Sequence, residues 1–161
     1  ISRFYSPMKD KVKSEENAEL LKKIWKNKDL LIIEGEYSRL GVGNDLFEMS
    51  KSINRVICPS KNAFDFYNTI LEKAILYGEE KLILIALGPT ATVLAYDLSK
   101  FGYWAIDIGH VDMEYLWMKH KVKEKIPLKG RVLNEVVGAQ ESELEELENN
   151  LYMESIVFNV K

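Results

Sequence analysis

Apolar residues fall along this chain in two alternating rhythms, and their alternation predicts the architecture. From Lys9 to Trp25, Val12, Leu20, Leu21, Ile24 and Trp25 lie among lysines and glutamates, an amphipathic helical pattern that Asn27 and Lys28-Asp29 bring to an end. Leu30 to Ile33 is a short unbroken apolar run, the mark of a strand buried on both faces. Ile53 to Cys58 is a second such strand, stopped by Pro59. Asn62 to Tyr77 returns to the helical rhythm, with Phe64, Tyr67, Ile70, Leu71, Ala74 and Ile75 on one side. Leu82 to Leu87 is the clearest strand, and Thr90 to Phe101 reads as a helix with Gly102 as its stop. Tyr103 to Ile108 makes a fourth strand. Past Lys119 the rhythm weakens: Gly130 to Val137 reads as strand or extended chain, Glu141 to Asn150 as a short acidic helix, Ile156 to Val160 as a last strand.

Strands and helices alternating at this spacing predict crossover units, and therefore a parallel sheet. The expected fold is α/β, Rossmann-like, with helices on both faces. Residues 1–161 are expected to form a single domain, with 138–161 supplying the C-terminal acidic helix and strand. Composition narrows the function. The 161 residues are 47% hydrophobic and 29% charged, ordinary globular usage that excludes a disordered or collagen-like chain. Acidic residues number 25 against 22 basic ones, and five of the acids crowd into Glu141–Glu148, so neither a nucleic-acid stripe nor a basic membrane face is expected. The longest apolar region, Leu82 to Tyr96, is broken by Gly88-Pro89 and falls short of the ~20 residues a spanning helix needs. The charged start resembles no signal peptide, so a soluble, cytoplasmic protein is expected. A lone cysteine, Cys58, excludes an internal disulfide framework and fits a reducing compartment.

Ligands of open parallel sheets bind beyond the carboxyl ends of the strands, and each predicted strand here ends in a polar cluster. After the first come Gly41 and Gly43, which let backbone approach a ligand, Arg39, which suits a phosphate, and Asn44 or Asp45 as a cap for a following helix. As a dinucleotide fingerprint this segment fails, because Leu46 stands where the third glycine belongs, and an NAD-dependent enzyme is disfavoured. After the second, Pro59 and Asn62 fit a turn into a capped helix, and Cys58 fits a small buried hydrophobe better than a nucleophile. After the third, Gly88, Pro89 and Thr90 begin a helix with free N–H groups, good for a phosphate or diphosphate. After the fourth, His110 with Asp112 and Glu114 forms a candidate divalent-metal or acid/base cluster. Together these clusters describe a cleft for a nucleoside diphosphate.

Four ordered blocks, LLIIEGEYSRLGVGNDLF, RVICPSKNAF, LILIALGPTATVLAYDL and YWAIDIGHVDMEYLWM, closely resemble the GT-D-type glycosyltransferase family. The resemblance runs from Ile1 to about Glu135. It implies a Rossmann-like enzyme that transfers a sugar (a hexose such as glucose) from a UDP-sugar, with a divalent cation, manganese or magnesium, to a glycan or glycoprotein acceptor. Carried over by position, Arg39, Gly41, Gly43 and Asn44 line the donor site, Cys58 to Asn62 lie by the nucleoside, and Gly88 to Thr90 by the diphosphate. His110 stands near the metal, with Asp112 and Glu114 close to the reacting sugar. Two departures qualify the match. The family's N-terminal arginine and glycine-flanked Asp-x-Glu are absent, and Leu116 stands where the family often has a second acid. The chain is therefore expected to be N-terminally incomplete and able to self-associate through exposed apolar surface. The alternative expectation is a non-catalytic nucleotide-sugar-binding or interaction module.

Overall fold

The computed structural model describes residues 3–128 and 146–161, the side chains of 146–148 excepted. Helix α1 (Lys11–Trp25) leads into β1 (Asp29–Gly35) and β2 (Ser52–Cys58); a 3-10 turn (Ala63–Phe66) opens α2 (Tyr67–Gly78). Then follow β3 (Leu82–Ala86), α3 (Pro89–Lys100), β4 (Ala105–Asp107), α4 (Val111–Lys119), α5 (Glu146–Ser155) and β5 (Ile156–Asn159). The strands form one sheet in the order β4-β3-β1-β2-β5. Every ladder is parallel, with Leu30 facing Ile53 on one side and Leu82 on the other. The Rossmann-like expectation is met.

Side chains along a strand alternate between faces, and this sheet buries both. Leu30, Ile32, Leu82 and Leu84 pack with Trp25, Leu46, Val111 and Tyr115 beneath α1 and α4. Leu31, Ile33, Val56, Ile83 and Ile85 pack against Ile70, Ala74, Ala91, Leu94 and Leu98 beneath α2 and α3. Burial of each such side chain contributes about 1.5–3 kcal/mol. Leu30 to Ile33 are wholly buried because β1 is the central strand, which is why the sequence reads there as unbroken rather than alternating.

The elements sit close to their predicted places, with instructive exceptions. Gly102 (φ 86°) closes α3 as expected: its N–H donates to Ser99 O at 3.1 Å, and Tyr103 N to Leu98 O at 3.0 Å, the paired bonds of a left-handed cap. The connection from β1 to β2 contains no helix, contrary to the capping role expected of Asn44 or Asp45. It is a chain of turns in which the Asn44 side-chain oxygen accepts from Leu46 N at 3.0 Å. Asn62 caps no helix through its side chain either. It takes a left-handed conformation (φ 54°), and its main-chain oxygen accepts from Asp65 N. Helix α4 carries almost no polar stripe, since Val111 to Tyr115, Trp117 and Met118 are all buried, and an amphipathic period does not announce it. The acidic helix is described from Glu146 and runs past its expected end at Asn150 to Ser155. The expected segment Gly130 to Val137 and residues 141–145 lie outside the described residues. The final strand falls where the sequence places it.

Candidate functional site

The chain leaves β1 toward β2 and leaves its neighbour β3 toward β4, so the connections from these two adjacent strands run in opposite directions across the sheet. In open parallel sheets the ligand crevice lies at such a switch point, here beyond the carboxyl ends of β1 and β3. Three segments border it: the turns after β1, the β3–α3 junction, and the β4–α4 junction.

The first segment is held from below by charge. Glu34, the last buried side chain of β1 on the α1/α4 face, is wholly buried. Its Oε1 pairs with Arg55 Nη1 from β2, and its Oε2 accepts from Leu40 N at 2.7 Å. Arg55 Nη2 donates to Leu40 O at 2.8 Å, so both backbone groups of Leu40 are clamped by one buried ion pair. Burial lifts the Glu34 carboxyl above its usual range, and the Arg55 charge works against that lift. Asp112, 1% exposed on α4, holds the next stretch. Its Oδ1 accepts from Gly41 N and Asn44 Nδ2, each at 2.8 Å. Gly41 (φ 74°) is required twice over: its conformation favours glycine, and a Cβ there would stand 2.3 Å from the Phe47 ring. What approaches Gly41 closely is this chain's own Phe47. Gly43 (φ 68°) is exposed, and Arg39 (φ 47°) is half-buried on the same turns.

At the β3–α3 junction Gly88 is exposed with φ 52°, and a Cβ there would meet nothing within 4 Å. Pro89 begins α3 and no side chain caps it, while Thr90 is buried against the first turn. An uncapped helix start facing open space is suited to an anion. At the β4–α4 junction Asp107 accepts from Thr92 Oγ1 at 2.8 Å and from Gly109 N at 3.0 Å, tying α3 to the loop that presents half-buried His110 at the start of α4.

The structure thus brings Gly41, Asn44 and Asp112 into direct contact and carries Arg39, Gly43, Gly88, Thr90 and His110 on the segments that follow β1, β3 and β4 at the same end of the parallel sheet. Two expected residues stand apart. Glu114 is wholly buried, and its carboxylate accepts from Tyr5 N at 2.8 Å, from Ser6 N at 2.6 Å and from the Ser6 hydroxyl. It anchors the segment before α1. The Cys58 side chain belongs to the apolar cluster beneath α2 and α3, and burial, with Glu34 adding to it, pushes its thiol up to about 12. Cys58 O accepts from Glu36 N, and exposed Asn62 lies in the turn beyond. Among the described residues no three His, Cys, Asp or Glu side chains converge to hold a metal ion. The crevice residues therefore do not form a cage for a divalent cation.

Sequence reading misses the supports of this crevice. Glu34 and Arg55 stand beside or inside apolar strands, and a charged residue within such a run is itself a signal of a buried pair. Asp45 reads as a cap in the sequence and instead joins three partners: Lys22 Nζ at 2.6 Å, Tyr115 OH at 2.9 Å and Lys119 Nζ at 3.2 Å. Lys22 holds the Asp45 carboxyl far below the usual range.

Comparison with known proteins gives the family. Residues 1–136 match the family model described as glycosyltransferase GT-D fold. The chain is 48% identical over 126 residues to glycosyltransferase GlyD of Streptococcus pneumoniae, covering 78% of this chain and 16% of that protein. It is 49% identical over 128 residues to the probable glycosyl transferase Gly of Streptococcus gordonii, covering 80% of this chain and 19% of that protein. The chain thus spans less than a fifth of the length of these relatives. A solved structure described as having a distinct glycosyltransferase fold superposes with a TM-score of 0.92 at 44% identity, covering 99% of this chain and 57% of that one. A glycosyltransferase from Streptococcus sanguinis superposes with a TM-score of 0.91 at 41% identity, covering 99% of this chain and 59% of that one. The sheet order, the identity to these relatives and the match over residues 1–136 lead to one conclusion: this chain belongs to the GT-D-fold glycosyltransferase family.

Proposed function

We propose that this chain forms the donor-binding part of a glycosyltransferase that moves a hexose from a UDP-sugar to a glycan or glycoprotein acceptor in the cytoplasm. The observation that carries the reading is the pairing of an open, uncapped α3 start at Gly88 with the Gly41–Asn44 turns, across the switch point of the sheet. The diphosphate lies over the N–H groups at the start of α3, where the helix dipole favours negative charge. The same donors stabilise the charge that grows on the departing nucleotide as the bond to the sugar breaks, which lowers the barrier for transfer. The acceptor hydroxyl must lose a proton in the same reaction. Asp112 and His110 are the groups at the crevice suited to that role, and Glu114 serves as an anchor. Magnesium-type cations are usually held by one or two carboxylates together with substrate phosphates. A cation enters this proposal only as a companion of the diphosphate, and no step is routed through it. No helix among the described residues is long and apolar enough to cross a membrane.

Calorimetric titration of UDP, with and without manganese, tests the reading. Binding that falls sharply in Gly88→Val, which crowds the α3 start, supports it. Absence of UDP binding under both conditions counts against it and favours a non-catalytic module. In an active preparation, Asp112→Asn and His110→Ala are expected to abolish transfer while the fold persists, because the substituted amide keeps an acceptor for Gly41 N. Full activity in both variants overturns the assignment.

A further inference from the structure

The family match ends at residue 136, yet α5 and β5 beyond it reach back to the turns that border the crevice. Strand β5 adds to the free edge of β2, with Ile156 beside Arg55 and Asn159 beside Ile57. This pairing seats Tyr152 of α5 in a small cluster with Val42 and Ile57, and Tyr152 is only 7% exposed. Its ring lies 5.1 Å from the Arg55 guanidinium carbon, within cation–π range. Arg55 in turn holds Glu34 and Leu40 O, and Glu34 holds Leu40 N. A continuous chain of contacts thus runs from α5 through Arg55 to Leu40, next to Gly41, whose N–H meets Asp112. The Tyr152 hydroxyl is buried without a hydrogen-bond partner among the described residues, so what binds Tyr152 in place is its ring.

We propose that Tyr152 is a positioning residue of the crevice, its ring pressing the Arg55 guanidinium onto Leu40 and so holding the Leu40–Asn44 turns in the form that meets a donor. That these turns meet a donor rests on the function proposed above; that Tyr152 holds them does not. Desolvation by the ring strengthens the Glu34–Arg55 pair, because screening by water is weaker there, and Val42 ties the turns themselves to the same cluster.

The test compares Tyr152→Phe and Tyr152→Leu in the full 161-residue chain by native-state hydrogen exchange, thermal unfolding and UDP titration. Tyr152→Phe keeps the ring and deletes an unpartnered hydroxyl, so its Tm is expected to stay level or rise. Protection at Leu40 and Gly41 should stay within about twofold of the parent. Tyr152→Leu, read well below its own Tm, is expected to speed exchange at Leu40 and Gly41 roughly tenfold or more, while Leu84 and Leu94 keep their protection. UDP affinity should fall with the same variant and return with Phe. Unchanged Leu40 and Gly41 protection in Tyr152→Leu, or loss spread evenly to Leu84 and Leu94, overturns the proposal. If the amides loosen as expected but the parent does not bind UDP, the positioning role stands and the donor reading fails.

Discussion

The two faces of this sheet are lined by alternate residues of the same strands, yet they hold different kinds of side chain. Beneath α2 and α3 the buried set carries no charge among the described residues: it is apolar from Leu31 and Ile33 to Leu94 and Leu98, with Cys58 as its softest member and Thr90 at the start of α3 as its buried polar side chain. Beneath α1 and α4 the apolar set is interrupted by buried charge: Lys22, Glu34, Arg55, Asp112 and Glu114. None of these five is isolated. Glu34 and Arg55 clamp Leu40, Asp112 takes Gly41 and Asn44, Glu114 takes Tyr5 and Ser6, and Lys22 takes Asp45. On that face apolar area holds the helices to the sheet, with the Thr92–Asp107 hydrogen bond at its rim, and a helix brings its own backbone hydrogen bonds. On the charged face irregular chain must be held, and its main-chain N–H groups need acceptors once buried. Buried charge therefore marks where this fold fixes loops.

The largest expected effect tests that contrast directly. Arg55→Leu leaves Glu34 buried without its counter-charge and should cost about 3–5 kcal/mol in urea unfolding. The double variant Glu34→Leu with Arg55→Leu should recover part of that stability. Equal losses in single and double variants would break the comparison, since the pair would then matter only as volume. Leu94→Ala on the apolar face is expected to cost about 2–4 kcal/mol without speeding exchange at Leu40 or Gly41. Deprotection of those two amides would show that the faces are not separable.

Glu114→Gln sharpens the picture at one anchor. The amide oxygen can still accept from Tyr5 N and Ser6 N, which share one carboxylate oxygen, but as a neutral acceptor it holds them more weakly, and its NH2 reverses the bond to the Ser6 hydroxyl, a loss of about 1–3 kcal/mol. Hydrogen exchange should report it at Tyr5 and Ser6 before anywhere else. The smallest effect is a pH dependence. The Asp45 carboxyl lies below its usual range in the folded chain because Lys22, then Tyr115 and Lys119, bond to it. A depressed carboxyl stabilises the fold above its unfolded value near pH ~4 and loses that contribution as pH falls further. With the side chain 36% exposed, screening reduces the contribution to about 0.5–1 kcal/mol. Asp45→Asn should flatten the acid limb of the stability curve by that amount and leave the curve near neutrality parallel to the parent.

Much of the fold is legible in the sequence. The strands at Leu30, Ile53, Leu82 and Ile156, and the helices ending at Trp25 and near Gly102, follow from local rhythm and local turn chemistry, which a few neighbouring residues decide. The ordered blocks also carry the family and the crevice segments around Gly41, Gly88 and His110. Helix α4 is hidden because burial on nearly every side erases the polar stripe that would reveal it. The turns after β1 read as leading to a helix because Asn44 and Asp45 favour caps wherever they stand. Their actual partners are Asp112, 68 positions from Asn44, and Tyr115, 70 from Asp45.

By itself the sequence determined which segments would be strands and helices, that the sheet would be parallel, and which glycines and polar residues would gather at strand ends. Only the tertiary structure decided that β1 would be central, that Glu34 would meet Arg55 and Leu40, that Asp112 and Glu114 would hold different segments, and that Tyr152 would sit on Arg55. The physical reason is the reach of each interaction. Periodicity and capping act within a turn or two of chain, whereas the partner of a buried charge is whichever group the packing of distant segments brings within hydrogen-bond distance.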